Sequence, residues 1–501
     1  MKKQKWHVQN RFLPGDVMLP NFLKQRAYLT PNRIALISQG TSLTFAGLYE
    51  KAKETARKLS GCGMQAEDTA AVLLNSRAET AVILHALQQL RVRTLFLNHR
   101  LTPAEMQYQL TDSGAKWLIT EKSFREKAEV LNETATVIQS EALDDLPAAG
   151  YEERAEFAFE DVCSIMYTSG TTGKPKGVLQ TYGNHWWSAA GSALNLGVRE
   201  DDTWLCAVPL FHISGFSILM RSVFYGMTVY LMEKFDEKET AKLLKSGRIT
   251  TMSVVTNMLQ RLLRELGQER LHPNFRCLLL GGGPAPRPLL EACAEKNIPV
   301  FQSYGMTETA SQTVTLAPED SLRKIGSAGK PLFPAQIRIV SDGKVCGPFE
   351  HGEIAVKGPN VTIGYLNRPD ANQKSFRDGW FFTGDIGYLD DEGFLYVLDR
   401  RSDLIISGGE NIYPAEIEEV LLAHPDILEA GVIGVEDEKW GQVPAAFIVT
   451  KRAVQERELQ AFCETRLAKF KIPKKVYAVP ALPRNASNKL VRRKLLELLP
   501  S

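Results

Sequence analysis

From Asn21 to about Phe349, short apolar runs alternate with longer amphipathic segments. Ala70-Ala71-Val72-Leu73-Leu74, for example, precedes Arg77-Ala78-Glu79-Thr80-Ala81-Val82-Ile83-Leu84. Strands that alternate with helical patterns in this way imply parallel sheets covered by helices. The apolar run Cys277-Leu278-Leu279-Leu280 is followed by Gly281-Gly282-Gly283-Pro284-Ala285-Pro286, which predicts a turn off the carboxyl end of a strand. The next run, Val300-Phe301, leads directly into Gln302-Ser303-Tyr304-Gly305. Ligands of open α/β sheets bind at such ends, so two neighbouring strand ends are expected to point at one place.

After Gly347 the pattern changes to hairpins, with Ile386 to Leu389 and Phe394 to Leu398 flanking the turn Asp390-Asp391-Glu392-Gly393. Beyond Arg401 a small α+β unit is predicted. Pro414 opens a helix with Glu416, Glu418 and Glu419 in its first turns and Ile417, Val420 and Leu421 on one face. A second helix, Glu456 to Phe470, is expected to bury Leu459, Phe462, Cys463 and Leu467. The expected class is therefore α/β. A large N-terminal domain, residues 1–401, has parallel sheets covered by helices and a β-rich subdomain from about 347. A small, mobile α+β C-terminal domain spans 402–501.

A chain of 501 residues exceeds what one core usually supports, in line with two or three subdomains. A net charge of +2 gives no reason to expect nucleic acid or an anionic membrane as partner. The seven cysteines are scattered and never spaced Cys-x-x-Cys, which argues for reduced thiols in a cytoplasmic protein and against a disulfide framework or zinc site. Met-Lys-Lys-Gln-Lys-Trp-His at the start leads into no apolar core of a signal peptide, and no stretch approaches a bilayer span, so no membrane insertion is expected. Arg492-Arg493-Lys494 in a leucine-rich segment predicts a solvated helix face. The oligomeric state stays open, a homo-oligomer included.

The chemistry concentrates in Tyr167-Thr168-Ser169-Gly170-Thr171-Thr172-Gly173-Lys174-Pro175-Lys176-Gly177. Glycines let a backbone fold tightly around an anion, hydroxyls and amides donate to phosphate oxygens, and Lys174 and Lys176 supply positive charge. The expected guest is a polyphosphate. The run is not a Walker loop, because Pro175 follows Lys174 where that pattern requires a Ser or Thr, and a proline has no N–H to donate.

These eleven residues resemble the phosphate-binding signature of the adenylate-forming superfamily of acyl-CoA ligases, peptide-synthetase adenylation domains and luciferases. Further motifs recur in that family's order: Gln302 to Thr309, Thr383-Gly384-Asp385, Asp399-Arg400, Ser407 to Pro414, and Pro483 to Lys489. The resemblance runs from Asn21 onward and implies an enzyme that uses ATP, Mg²⁺ and coenzyme A to make first an acyl-AMP and then a thioester.

It further implies an ATP site of Thr168, Ser169, Gly170, Thr171, Thr172, Gly173, Lys174, Lys176, Gly282, Ser303, Tyr304, Gly305, Thr307, Asp385, Arg400 and Lys489. In it Glu308 is the magnesium ligand, Thr307 contacts the α-phosphate, Tyr304 stacks on adenine, and Asp385 and Arg400 meet the ribose. Lys489 is the catalytic lysine, Gly408 and Gly409 form the coenzyme A tunnel, and Ser402 lies at the hinge, where many relatives carry Asp or Lys.

His212 resembles the family's acyl-pocket gate, and His212, Ser214, Arg221, Gly281 and Ser303 are the candidate acid-binding residues. Within the superfamily, Pro209 to Gly215, Gly281 to Pro286 and Arg484 to Lys489 most resemble ligases whose acid keeps a second carboxylate after the first is activated. A buried unpaired carboxylate is costly, so His212, Arg221 or Ser303 is expected to answer it. A fatty-acyl or arylcarboxylate ligase would share every ATP motif, and an inactive nucleotide-binding regulator would share the fold. Intact Lys489, Glu308 and Asp385 argue against the regulator.

Overall fold

The computed structural model describes residues 18–168, 174–282, 285, 287–399, 405–412, 414–483, 490 and 492–499. The apolar run beginning at Thr69 forms the strand Thr69–Leu73, buried at every position. It sits inside a seven-stranded sheet whose order is Gly364–Tyr365, Lys176–Thr181, Val162–Thr168, Arg93–Phe96, Thr69–Leu73, Trp117–Thr120 and Thr136–Gln139. The last five strands are parallel, and Lys176–Thr181 runs antiparallel to Val162–Thr168. A second sheet carries the parallel strands Ile34–Ser38, Thr228–Leu231, Thr203–Cys206, Thr251–Val255, Cys277–Gly281 and Val300–Met306. The helix Ala78–Gln89 is buried on nearly all sides, as its almost unbroken apolar stretch requires.

The second sheet continues antiparallel through Ser311–Leu316, Ser327–Pro331, Leu395–Asp399, Trp380–Leu389, Gly352–Lys357 and Gln336–Ser341. The hairpin about Asp390-Asp391-Glu392-Gly393 pairs Leu389 with Leu395, as its sequence suggests. The antiparallel strands begin well before 347. The strand Gln336-Ile337-Arg338-Ile339-Val340-Ser341 alternates polar and apolar residues, which suits one buried face and is easily overlooked beside fully apolar runs.

The small C-terminal unit has its own sheet of Ile405–Ser407, Glu410–Ile412, Ile427–Asp437, Gly441–Thr450 and Lys475–Ala478. Pro414–Leu422 is helical, with Ile417 and Leu421 fully buried. The second helix covers Glu456–Glu464 only. The chain turns at Thr465, and Leu467 is buried beyond the helix rather than on it. Arg492 is not a solvated charge; its guanidinium pairs with Glu418, and neighbouring Leu495 is fully buried. The small unit docks through Ala468 and Phe470, which pack into the cluster of Leu97, Leu101, Met106 and Leu118 on the large domain. All seven cysteines are unpaired, and among the described residues no helix is long and apolar enough to cross a membrane.

Candidate active site

The carboxyl ends of both parallel sheets and the tip of the small domain enclose one cavity of about 1360 Å³. Thr168 ends one strand and Lys176 begins its antiparallel partner, opposite it in register. The described ends of the candidate phosphate-binding run thus belong to two antiparallel strands, whereas a Walker loop leads from a strand into a helix. Ser169, Gly170, Thr171, Thr172, Gly173, Arg400, Ser402 and Lys489 lie outside the described residues.

Strand Val300–Met306 brings the next group in. Its alternation directs Ser303 and Gly305 to the cavity, while Gln302 and Tyr304 are buried behind it. Gly305 is required by close approach, because a Cβ there would meet the Ser311 carbonyl oxygen at 2.0 Å. The Tyr304 ring packs with Val178, Val314 and Ile339, and its hydroxyl donates to Asp385 Oδ2 at 2.7 Å. Tyr304, the expected adenine platform, is thus 3% exposed and hydrogen-bonded to the ribose-contact candidate Asp385. Asp385 and Thr383 both line the cavity. Gly281 and Gly282 lie at the neighbouring strand end, and Gly282 carries a φ of +88° that suits glycine.

Thr307 and Glu308 follow in a short 3₁₀ turn, Thr307–Thr309. Glu308 is nearly buried and accepts from the Tyr365 hydroxyl at 3.0 Å and from Thr168 Oγ1 at 3.5 Å. The start of the phosphate loop and the candidate metal ligand are therefore adjacent. A hard carboxylate beside the Thr168 hydroxyl fits Mg²⁺, which takes one or two carboxylates and otherwise phosphate and water oxygens. The Lys176 ammonium lies 5.1 Å from the Tyr365 ring centroid, on the same side of the site.

In the acid region, Arg221 lies in the helix Ile213–Tyr225, only 1% exposed, with its guanidinium 5.2 Å from the Trp204 ring centroid. It lines the cavity, yet neither Nε nor Nη2 has a hydrogen-bond partner among the described residues. Burial lowers its pKa. Ser303 Oγ donates to the Leu280 carbonyl at 3.1 Å, and His212 Nε2 lies 3.5 Å from Glu410 Oε2. Ser214 also lines the cavity.

Glu410 is a residue that reading along the sequence quotes without giving it work. It follows the turn Gly408-Gly409, whose φ values of +57° and +88° make a tight two-residue hairpin connection. Its carboxylate is buried against the large domain, where Arg100 pairs with it and Asn98 Nδ2 donates at 3.2 Å. Burial pushes this carboxyl up, but His212, Arg100 and Asn98 outweigh it and hold it at about 2. A second contact lies at Lys471, whose buried ammonium reaches Glu105 of the large domain and Glu416 of the small one, each at 2.7 Å. Desolvation works against the charge on Lys471, and the two glutamates more than compensate, raising its pKa. Gly408, Gly409, Glu410, Glu438, Lys439, Trp440, Phe470 and Lys471 are the small domain's share of the cavity wall.

The AMP-binding enzyme family matches residues 23–366, and its C-terminal domain matches residues 416–489. The chain belongs to this family. It is 59% identical over 484 residues to the 2-succinylbenzoate–CoA ligase of Geobacillus kaustophilus, covering 96% of this chain and 98% of that protein. Among solved structures, it is 53% identical to a double mutant of the o-succinylbenzoate CoA synthetase of Bacillus subtilis bound to its product analogue OSB-NCoA. That match has a TM-score of 0.92 and covers 96% of this chain and 99% of the other. The same Bacillus subtilis synthetase with the acyl-adenylate OSB-AMP, or with ATP and magnesium ion, superposes at 0.76, at 53% and 52% identity, covering 96% of this chain and 98% or 100% of the other. At nearly equal identity and coverage, this chain superposes more closely on the product-analogue complex than on those two complexes.

Proposed function

We propose that this chain is an ATP-dependent ligase that joins 2-succinylbenzoate to coenzyme A, a step of menaquinone biosynthesis, through an acyl-AMP. A carboxylate is a poor electrophile because its leaving group would be oxide. In the first step a succinyl carboxylate oxygen attacks the α-phosphorus of ATP, the bond to pyrophosphate breaks, and a mixed anhydride forms. In the second, the coenzyme A sulfur attacks the acyl carbon, the bond to AMP breaks, and the thiol proton leaves to solvent. The run from Thr168 to Lys176 holds phosphates, Asp385 accepts from the ribose hydroxyls, and Thr307 faces the α-phosphate. Glu308 holds Mg²⁺, which when bound offsets phosphate charge.

The observation that carries the choice of acid is Arg221. Of the three candidates for the second carboxylate, Ser303 spends its proton on Leu280 and His212 faces Glu410, whereas Arg221, which also lines the cavity, keeps two buried nitrogens, Nε and Nη2, without a partner among the described residues beside a hydrogen bond to Tyr225. A buried guanidinium with unspent donors suits the aryl carboxylate that a fatty acid lacks. Arg221→Gln is expected to raise KM for 2-succinylbenzoate about 10- to 100-fold, since hydrogen bonds to charged groups contribute roughly 1.5–3 kcal/mol. The KM for ATP should hardly move. A KM unchanged in the variant, or wild-type turnover of a plain fatty acid equal to that of 2-succinylbenzoate, contradicts the assignment.

The two steps need different tools, so the small domain, residues 402–501, moves between them about a hinge near Ser402. The product-type arrangement is latched by Glu410 and Lys471. Glu410→Gln is expected to slow thioester formation from supplied acyl-AMP about tenfold, a deliberately small figure because Arg100 is partly exposed and screened. Adenylation should be unaffected; a half-reaction assay checks both. Because the docked pKa of about 2 lies below the ordinary 4.5, the latch contributes fully above that ordinary value and weakens only as pH falls towards 2. Between pH 6 and 8, therefore, ionisation of Glu410 should leave the thioester step untouched.

A further inference from the structure

Between the strand Val300–Met306 and its antiparallel partner Ser311–Leu316 lies the loop that holds Thr307 and Glu308. Two successive non-glycine residues in it have positive φ, Ala310 at 51° and Ser311 at 98°. Backbone of this kind costs about 1–3 kcal/mol per residue and persists only where its surroundings over-determine it. Here they do so carbonyl by carbonyl. The Thr307 carbonyl accepts from Gln180 Nε2 at 2.8 Å, that of Glu308 from the Thr362 amide at 2.8 Å, and that of Thr309 from Asn360 Nδ2 at 3.1 Å. The Ala310 carbonyl accepts from Ser188 Oγ at 2.6 Å, and that of Ser311 from Thr309 Oγ1 at 2.8 Å. Five consecutive carbonyls are held, four of them by groups outside the loop.

Gln180 is itself fixed from behind. Its Oε1 accepts from Ser164 Oγ at 2.7 Å, and Ser164 Oγ lies 2.9 Å from His185 Nε2. A serine has one hydroxyl proton, and this one goes to Gln180, so the hydrogen between Ser164 and His185 must be carried by Nε2. Burial holds the His185 ring down to about 3, which keeps it neutral and this tautomer unchallenged at neutral pH. Gln180 and Ser164 are 0% exposed and His185 2%. A fully satisfied buried hydrogen bond adds only about 0.5–1.5 kcal/mol, and an unsatisfied group costs more, so a polar chain at this depth contributes orientation more than stability.

We propose that Gln180, Ser188 and Asn360 are positioning residues that grip the loop Thr307–Ser311 by its carbonyls and so fix Thr307 and Glu308 where the α-phosphate and Mg²⁺ of the nucleotide arrive. The inference rests on the roles given to Thr307 and Glu308 under the proposed function. Its test is the affinity of the protein–ATP complex for Mn²⁺, read by electron paramagnetic resonance, in the wild type, Gln180→Met and Ser188→Ala. Groups that orient a metal ligand typically change metal affinity 10- to 100-fold when lost, so Gln180→Met should weaken Mn²⁺ binding about tenfold and Ser188→Ala about threefold. The Mg²⁺ concentration for half-maximal adenylation should rise in step, with kcat at saturating Mg²⁺ nearly preserved. Adenosine affinity measured without metal, and the melting temperature of Ser188→Ala, should stay close to wild type. Unchanged Mn²⁺ affinity in both variants overturns the proposal, and so does an equal loss of adenosine and metal binding, which would mark general damage. Mn²⁺ affinity indifferent to Glu308→Gln would overturn the metal assignment itself, a failure distinct from that of the grip.

Discussion

Lys489→Ala is expected to lower acyl-AMP formation by about 10²–10³ while leaving thioester formation from supplied acyl-AMP within a few-fold of wild type, the loss typical of removing one preorganised charge-stabilising donor. As the carboxylate meets the α-phosphate, negative charge builds on oxygens that already repel each other. A cation held between them lowers that barrier, and the cation proposed from the motif Pro483 to Lys489 is Lys489. In the second step the nucleophile is a thiol and the leaving group is AMP, and the small domain here gives the cavity wall Gly408, Gly409, Glu410, Glu438, Lys439, Trp440, Phe470 and Lys471. Pyrophosphate release without coenzyme A measures the first half-reaction, and thioester formation from synthetic acyl-adenylate the second. Equal loss of both would contradict the division of labour.

Gly409→Leu should do the reverse. Both residues of the turn lie in the left-handed region, and a Cβ on Gly408 would meet the Trp440 ring at 2.7 Å, whereas one on Gly409 would lie 3.5 Å from Val255 Cγ2. A side chain at Gly409 therefore extends into the narrow space between the small domain and the strand end at Val255, the proposed path of the coenzyme A thiol arm. Left-handed backbone at a non-glycine residue adds about 1–2 kcal/mol of strain, absorbed by a turn at the edge of its own sheet. The larger effect is obstruction. Displacing a reacting group by about 1 Å can cost 10²-fold, so the thioester step should fall by at least about 10² while acyl-AMP still forms at the wild-type rate. The same two assays decide it, and parallel loss of both steps would point to misfolding instead.

Much of this arrangement was legible in the sequence. Fully apolar runs before amphipathic segments specified the parallel sheets, and Gly281-Gly282 and Ser303 do lie at neighbouring strand ends. Local turn chemistry marked the hairpin at Asp390 to Gly393 and the pair Gly408-Gly409. What stayed hidden depends on partners remote in sequence. Glu410 meets Arg100 across 310 positions and Lys471 meets Glu105 across 366, and nothing along the chain distinguishes these from solvated charges. Tyr304 is marked by its motif, but only the pleat of Val300–Met306 reveals that its ring faces the core and its hydroxyl Asp385. Ser164, Gln180 and His185 look like ordinary polar residues of a strand, a strand and a helix; their meaning lies in one line of hydrogen bonds that ends on Thr307. The helix from Glu456 was overestimated because apolar spacing continues through Leu467 after the backbone has already turned.

The central claim is that one pocket makes an acyl-AMP before coenzyme A takes part. Rapid quenching of a single turnover with ATP, Mg²⁺ and 2-succinylbenzoate, without coenzyme A, tests it most directly. The predicted result is stoichiometric, enzyme-bound 2-succinylbenzoyl-AMP with equal pyrophosphate, converted to thioester and AMP when coenzyme A is added. Pyrophosphate release that ignores the acid, or thioester formed with no adenylate preceding it, would contradict the account.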